Sequence, residues 1–337
     1  MNTTHEPAAR RERTAPSPDP FRRRRAYGEQ AGGGELEGLR KSAVVGALVW
    51  VGLVSAPLDP NLGLGVIEKL FLLAPLVIVP LGLALAGARR WLGVAQPVGA
   101  TLVLTAFFVD RGLLAAALVT PWLLLTLAVS ADGAVRFWHG AFRQPAELCV
   151  AMALLLLPVG GIGLAQSRLG VSPLGYREPV VLLVAVHFHF AAFVGPLMAG
   201  LAGRRLDDHP PALRRWYWLV AGAVSLGSPV LAAGYVLFVP LLRVVGAGLL
   251  TVGLLALSLL MLALVRDLRP RLAQVLLAVS ATTVIAAMLY ATVYAVADWF
   301  GQVWIAIPHM ARTHGVINAL GFSLCGLVGW SLVRKET

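Results

Sequence analysis

The sequence predicts an all-α protein, a polytopic bundle of about ten transmembrane helices. Three observations carry this. First, 58% of the 337 residues are hydrophobic and only 13% are charged, where a soluble domain carries about 25% charged residues. Second, mean hydropathy is +0.77, and run after run reaches the roughly 20 apolar residues that a bilayer-crossing helix needs. Third, those runs are continuously apolar, rich in Leu, Ala, Val and Gly, without the alternation of membrane β-strands. A helix satisfies its backbone hydrogen bonds within one segment, as hydrocarbon requires.

Residues 1–40 stand apart. They are rich in Pro, Arg, Glu and Gly and contain no apolar run, a composition that predicts a disordered cytoplasmic tail and not a signal peptide. The run RRRR at 22–25 reads as a topology determinant, with contact to anionic lipid as the other reading. Residues 41–337 form the transmembrane domain. Spans are expected at 42–57, 66–88, 92–109, 112–131, 145–166, 179–202, 216–238, 242–265, 272–296 and 314–333. Only Asp110, Arg111 and Gly112 separate the third from the fourth.

Charge supplies a check on this count. The net charge is +11. In a membrane protein such an excess marks the cytoplasmic connections, and no nucleic-acid partner is expected. Alternate connections are the basic ones: Arg89 and Arg90; Arg136 and Arg143; Arg204, Arg205, Arg214 and Arg215; Arg266, Arg269 and Arg271; then Arg334 and Lys335. The opposite connections carry only Lys69, Arg111, Arg168, Arg177, Arg243 and Arg312. The pattern predicts a multi-pass protein of a bacterial cytoplasmic membrane with both termini inside. Cys149 and Cys325 fall within spans, lack metal-ligand spacing and read as small packing residues.

With that topology the polar residues gather in the outer half of the bilayer. His187 and His189 lie in the sixth span, within "VAVHFHFAAFVGP". His314 is expected at the mouth of the tenth span, with Asn318 one turn deeper. Tyr290, Tyr294 and Asp298 recur every four residues at the outer end of the ninth and so share a face. Glu68 opens the second span, while Asp59 and Asp110 end the first and third. Ionisable groups at membrane depth are costly and usually face a bundle interior or a wet cavity; the competing reading of each histidine is a neutral ring bonded to a neighbouring helix. Residues two apart point about 200° apart on a helix, so His187 and His189 cannot face one site. Gly321, Cys325 and Gly329 form a small-residue stripe suited to close helix packing.

The blocks "HFHFAAF" (187–193), followed by Pro196 and Gly200, and "HGVINALGFSLCGLVGW" (314–330) resemble the YndJ-like family of bacterial membrane proteins. The resemblance rests on these blocks in the second half and on hydropathy in the first. It implies a polytopic membrane protein and leaves the chemistry to the residues.

Three functions fit those residues. The first is a membrane-embedded enzyme that isomerises, cyclises or opens an epoxide in a lipophilic small molecule. His187 or His189 and His314 would be acid and base, Asp298 their orienter, and Asn318, Tyr290, Tyr294, Glu68 and Asp110 the binding groups. No cofactor is expected for it. The second is a proton-coupled secondary transporter, with Glu68, Asp298 or a histidine carrying the proton. The third is a metal- or b-type haem-binding protein using histidines on different helices. The bilayer is the one partner that the composition requires; the oligomeric state is not encoded in any feature above.

Overall fold

The computed structural model describes residues 33–56, 64–206 and 209–333. Asp59, most of the expected tail, Arg334 and Lys335 lie outside the described residues. Ten long helices follow in order: α1 Gly33–Ser55, α2 Val66–Ala86, α3 Leu92–Ala106, α4 Leu113–Trp138, α5 Pro145–Leu169, α6 Val180–Gly203, α7 Pro211–Val236, α8 Pro240–Leu264, α9 Arg271–Trp299 and α10 Ile307–Leu332. They pair one for one with the expected spans. Nine are long and apolar enough to cross a membrane. The exception, α3, has 15 residues, about 22 Å of helix. Its two ends still meet opposite ends of the bundle. Arg89, just before it, reaches Asp132 of α4, and Gly112, just after it, donates to the Arg168 carbonyl of α5 at 2.8 Å.

Two boundaries differ from expectation. Helix α1 begins at Gly33, inside the stretch expected to be tail. Helix α10 begins at Ile307, with Pro308 in its first turn, where the missing N–H costs nothing. His314 therefore sits seven residues into its helix and not at its mouth. His187 also sits seven residues into α6.

Helices α2 and α6 are the most buried and form the centre. Neighbours in sequence pack antiparallel around them, and α10 closes the ring by touching α2, α6 and α9. Outward faces carry Val44, Leu48, Leu113, Val252, Leu259 and Leu289, side chains whose solvent is lipid. Trp216 and Trp218 at one end and Trp299 and Trp304 at the other are exposed, as an interfacial belt requires. Small and hydroxylated residues join the helices. Gly321 and Gly329 face α9: a Cβ on Gly321 would lie 2.6 Å from Thr283 Oγ1 and one on Gly329 would lie 2.8 Å from Leu277 Cγ. Ser280 donates across the same interface to the Phe322 carbonyl at 2.7 Å, and Ser258 to the Ala281 carbonyl at 2.6 Å.

The backbone is irregular in α2 and α10. Residues Ala74–Ile78 of α2, and Ala311–Gly315 and Ile317–Leu324 of α10, form π-helical turns. In α2 the cause is visible. The Val79 N–H bonds to Ala74 O, one residue farther back than in an α-helix. The Pro75 carbonyl would then look to residue 80, which is a proline without an N–H. Gln96 of α3, fully buried, supplies the donor at 2.7 Å and accepts in turn from Ser42 of α1 at 2.7 Å.

The basic end of the bundle is held by ion pairs. Arg204 makes a two-pronged pair with the buried Glu147 (3.0 and 3.2 Å). Arg136 pairs with Asp132 and donates to the terminal carbonyls Ala86 and Gly87 of α2. The positive-inside rule leads to the expectation that this end faces the cytoplasm. In a C149A/C325A background, a single cysteine at Ser172 should react with a membrane-impermeant maleimide in intact cells, and one at Arg205 only after permeabilisation; the reverse would invert the orientation. Gln96→Leu should lower the thermal midpoint of the detergent-solubilised protein by the equivalent of about 1–3 kcal/mol, the cost of an orphaned buried carbonyl. Thr101→Val, on the exposed face of the same helix, should leave it nearly unchanged.

Candidate functional site

The two histidines of α6 have opposite surroundings. His189 is fully buried and both of its ring nitrogens are engaged. The indole N–H of Trp122 donates to Nε2 at 3.1 Å, and Nδ1 lies 2.8 Å from the Ala185 carbonyl. An acceptor at Nε2 and a donor at Nδ1 define one neutral tautomer. The ring stacks on Trp122, takes the edge of Phe71 at 5.4 Å, and rests on Gly160, where a Cβ would lie 2.5 Å from Nδ1. The chain of rings continues outward. Phe71 stacks on Phe107 at 5.7 Å, and the Arg168 guanidinium lies 4.4 Å over Phe107. His189 is thus a structural bond among α2, α4, α5 and α6, with no nitrogen left for proton transfer.

His187, about 200° around the helix from His189, points the other way. The residue is half-buried, and its Nε2 is covered and has no hydrogen-bond partner. His314 of α10 lies within electrostatic range of it. His314 Nδ1 donates to the Ala287 carbonyl of α9 at 2.8 Å, and Asn318 Nδ2 approaches its Nε2 at 3.1 Å. Both His314 and Asn318 belong to the π-helical part of α10. The parallel course of α6 and α10 sets the common depth, fixed farther down where Gly326 packs on Met198. On the α2 side Leu70 closes over Gly315.

The remaining expected residues lie elsewhere. Asp298 does not orient His314. Both of its carboxylate oxygens are within 3.3 Å of Arg243 Nη1, the closer at 3.0 Å, and Arg243 in turn lies over the Tyr235 ring. Tyr294 is close enough to feel the Asp298 charge. Tyr290 turns toward His309, ring centres 6.5 Å apart, so the shared face does not act as one group. Asp110 is exposed in the turn before α4. Glu68 turns back toward Gly65 and lies within electrostatic range of Arg168. Among the described residues no group of three or more His, Cys, Asp or Glu side chains is placed to hold a metal ion. A cleft of about 430 Å³ opens between α3 and α4, lined by Trp91, Val98, Pro121, Leu124 and other apolar residues; none of the histidines lines it.

The residues that sequence reasoning missed are Trp122, Arg168 and Arg243. Trp122 is 67 positions from its partner in sequence. The two arginines were placed in connections, whereas each lies within the first or last turn of a helix with its Nε buried.

A family model described as YndJ-like protein matches residues 69–322. The chain belongs to the YndJ-like family. The matched region runs from α2 into α10 and includes His187, His189, His314 and Asn318. The chain is similar to a Bacillus subtilis (strain 168) protein named "Uncharacterized membrane protein YndJ", 25% identical over 311 residues, which are 87% of this chain and 53% of that one. It thus spans about half the length of the curated relative it matches. No solved structure matches. Together with its apolar helices, these findings make the chain an integral, multi-pass membrane protein.

The packing of His189 is open to test. Gly160→Ala should destabilise the wild-type protein but cost at least about 1 kcal/mol less in a His189→Ala background, because the two groups compete for one space. Trp122→Phe should cost about 1–3 kcal/mol by leaving Nε2 unpaired. Additive effects in thermal unfolding would show that the ring does not rest on Gly160.

Proposed function

We propose that the protein is a membrane-embedded acid–base enzyme acting on a lipophilic small molecule. One observation carries the reading: the covered, unpartnered Nε2 of His187 beside His314. A polar atom kept from water and left without a partner costs about 1–3 kcal/mol. The same helix shows how a purely structural histidine is treated, since His189, two residues on, has both nitrogens bonded. A substrate is the partner that His187 lacks.

The chemistry follows from the two rings. His187 Nε2 takes a proton from a substrate carbon or hydroxyl. The resulting His187 imidazolium returns the proton to another atom of the reacting system, while His314, its two nitrogens held by the Ala287 carbonyl and the Asn318 amide, positions the site against α9. The balance is an isomerisation or cyclisation with no redox change, and an epoxide opens by the same two transfers. The π-helical turns of α10 set His314 and Asn318, and such turns recur at functional sites. The site would face the outer half of a bacterial cytoplasmic membrane, with both termini inside.

The irregular α2 and α10 also suit a second reading, proton-coupled transport, since transporters use broken helices. Transport needs access from both sides. Toward the basic end Phe193, Leu197 and Met198 are fully buried and Gly82 sits against Phe193, which favours the one-sided enzyme.

The test is conversion of host lipid extract by protein in nanodiscs, followed by chromatography and mass spectrometry. The expected result is a species that changes retention at unchanged mass, or with water added for an epoxide. His187→Phe should lower the rate about 100-fold or more, the usual scale of general acid–base catalysis, and His314→Phe should lower it by a smaller factor through the position of His187, each in protein that still folds. Full conversion by both variants, or proton-driven uptake into proteoliposomes without conversion, would overturn the reading.

A further inference from the structure

We propose that Arg168 is an anion clamp, which makes the substrate an amphiphile with a carboxylate or phosphate head. The second clause rests on the enzyme reading above; the clamp itself does not.

Arg168 ends α5 on the far side from the basic end, and is 5% exposed. Its Nε is buried without a hydrogen-bond partner, and among the described residues it makes no ion pair within 4.0 Å. A buried guanidinium without a counter-ion is expensive. The carboxylates near it do not fill the role. Glu178 already receives the Ser167 hydroxyl, the Leu182 N–H at 3.3 Å and Arg111 at 4.0 Å. Glu68 lies within electrostatic range but outside ion-pair distance. The face of the guanidinium is occupied by Phe107. That contact holds the plane fixed and occupies the face, not the N–H donors at the edge. A rigid planar fork of donors matches the two oxygens of a carboxylate or phosphate.

Position relates the clamp to the histidines. Helices α5 and α6 run antiparallel in a register fixed by Gly163 against Val184 and Ala185, and by Gly160 against Phe188. By helix rise, Arg168 then lies about 12 Å nearer the far end than His187. Glu68 of α2 lies within electrostatic range of Arg168, and Leu70, two residues on, closes over Gly315 beside His314. A molecule held by its head at Arg168 would place atoms about 12 Å down its chain at the depth of His187 and His314.

Binding to protein in phosphatidylcholine nanodiscs tests the clamp without any turnover. The probes are a fluorescent long-chain fatty acid, at alkaline pH where it is ionised, and the matching alkyl phosphate. The methyl ester and the alcohol are the uncharged controls. The wild type should bind both anions about tenfold or more tighter than the controls, as a charged hydrogen-bonded pair provides. Arg168→Gln should abolish the difference and Arg168→Lys should keep part of it. His187→Phe should keep it whole, so failure of the enzyme reading would leave this result standing. Equal affinity of acid and ester for the wild type would overturn the clamp even if Arg168→Gln failed to fold. So would Arg168→Gln that folds and still prefers the anions.

Discussion

The interaction on which the rest depends is the bond from the Trp122 indole to His189 in a region that water does not reach. Each group alone would carry an unsatisfied polar atom in hydrocarbon; together with the Ala185 carbonyl they leave none. The pair also fixes positions. Helix α5 comes close only because residue 160 has no side chain, and α2 comes close through the edge of Phe71. Phe71 carries the stack to Phe107 and Phe107 carries it to Arg168. One satisfied histidine therefore sets α2 to α6 and, at the end of the stack, the arginine assigned above to anion binding. It also fixes the rotation of α6, and that rotation turns His187 toward α10.

The same rule, that every polar atom in the bilayer interior needs a partner, explains the irregular backbone. In α2 two prolines five residues apart displace the ladder and free the Pro75 carbonyl, and Gln96 answers it from α3. In α10 the π-helical turns coincide with His314 and Asn318, which answer each other and the Ala287 carbonyl of α9. Where the rule holds, the bundle is closed, as at Glu147 with Arg204. At two of the places where it fails, His187 Nε2 and Arg168 Nε, the proposals above place a ligand.

Much of the fold was legible in the sequence because hydropathy is additive along the chain. The ten helices stand where apolar runs stand, and the basic residues of alternate loops gather at one end. The opposed directions of His187 and His189 were also legible, since they follow from 3.6 residues per turn. What distinguishes the two was not. It depends on an indole 67 positions away, and no local pattern announces that contact. The four-residue recurrence of Tyr290, Tyr294 and Asp298 was real as periodicity and misleading as chemistry, because Arg243 on α8 claims the carboxylate while Tyr290 turns toward His309 in the first turn of α10. The π-helical turns of α2 escaped because they arise from backbone competition around Pro75 and Pro80; the early start of α10 at Pro308 had a readable sign in that proline.

The central claim is that one histidine of α6 is a structural bond and the other is free to react. Nitrogen-15 solid-state NMR of the histidine-labelled protein in lipid tests it most directly, with signals assigned by single substitution. The account predicts that His189 keeps one neutral tautomer, with the proton on Nδ1, across the pH range in which the protein stays folded. It predicts that the His187 signal moves when a ligand or a change of His314 alters its surroundings. A His189 resonance that changes protonation while the fold persists, or a His187 resonance indifferent to His314→Phe, would contradict it.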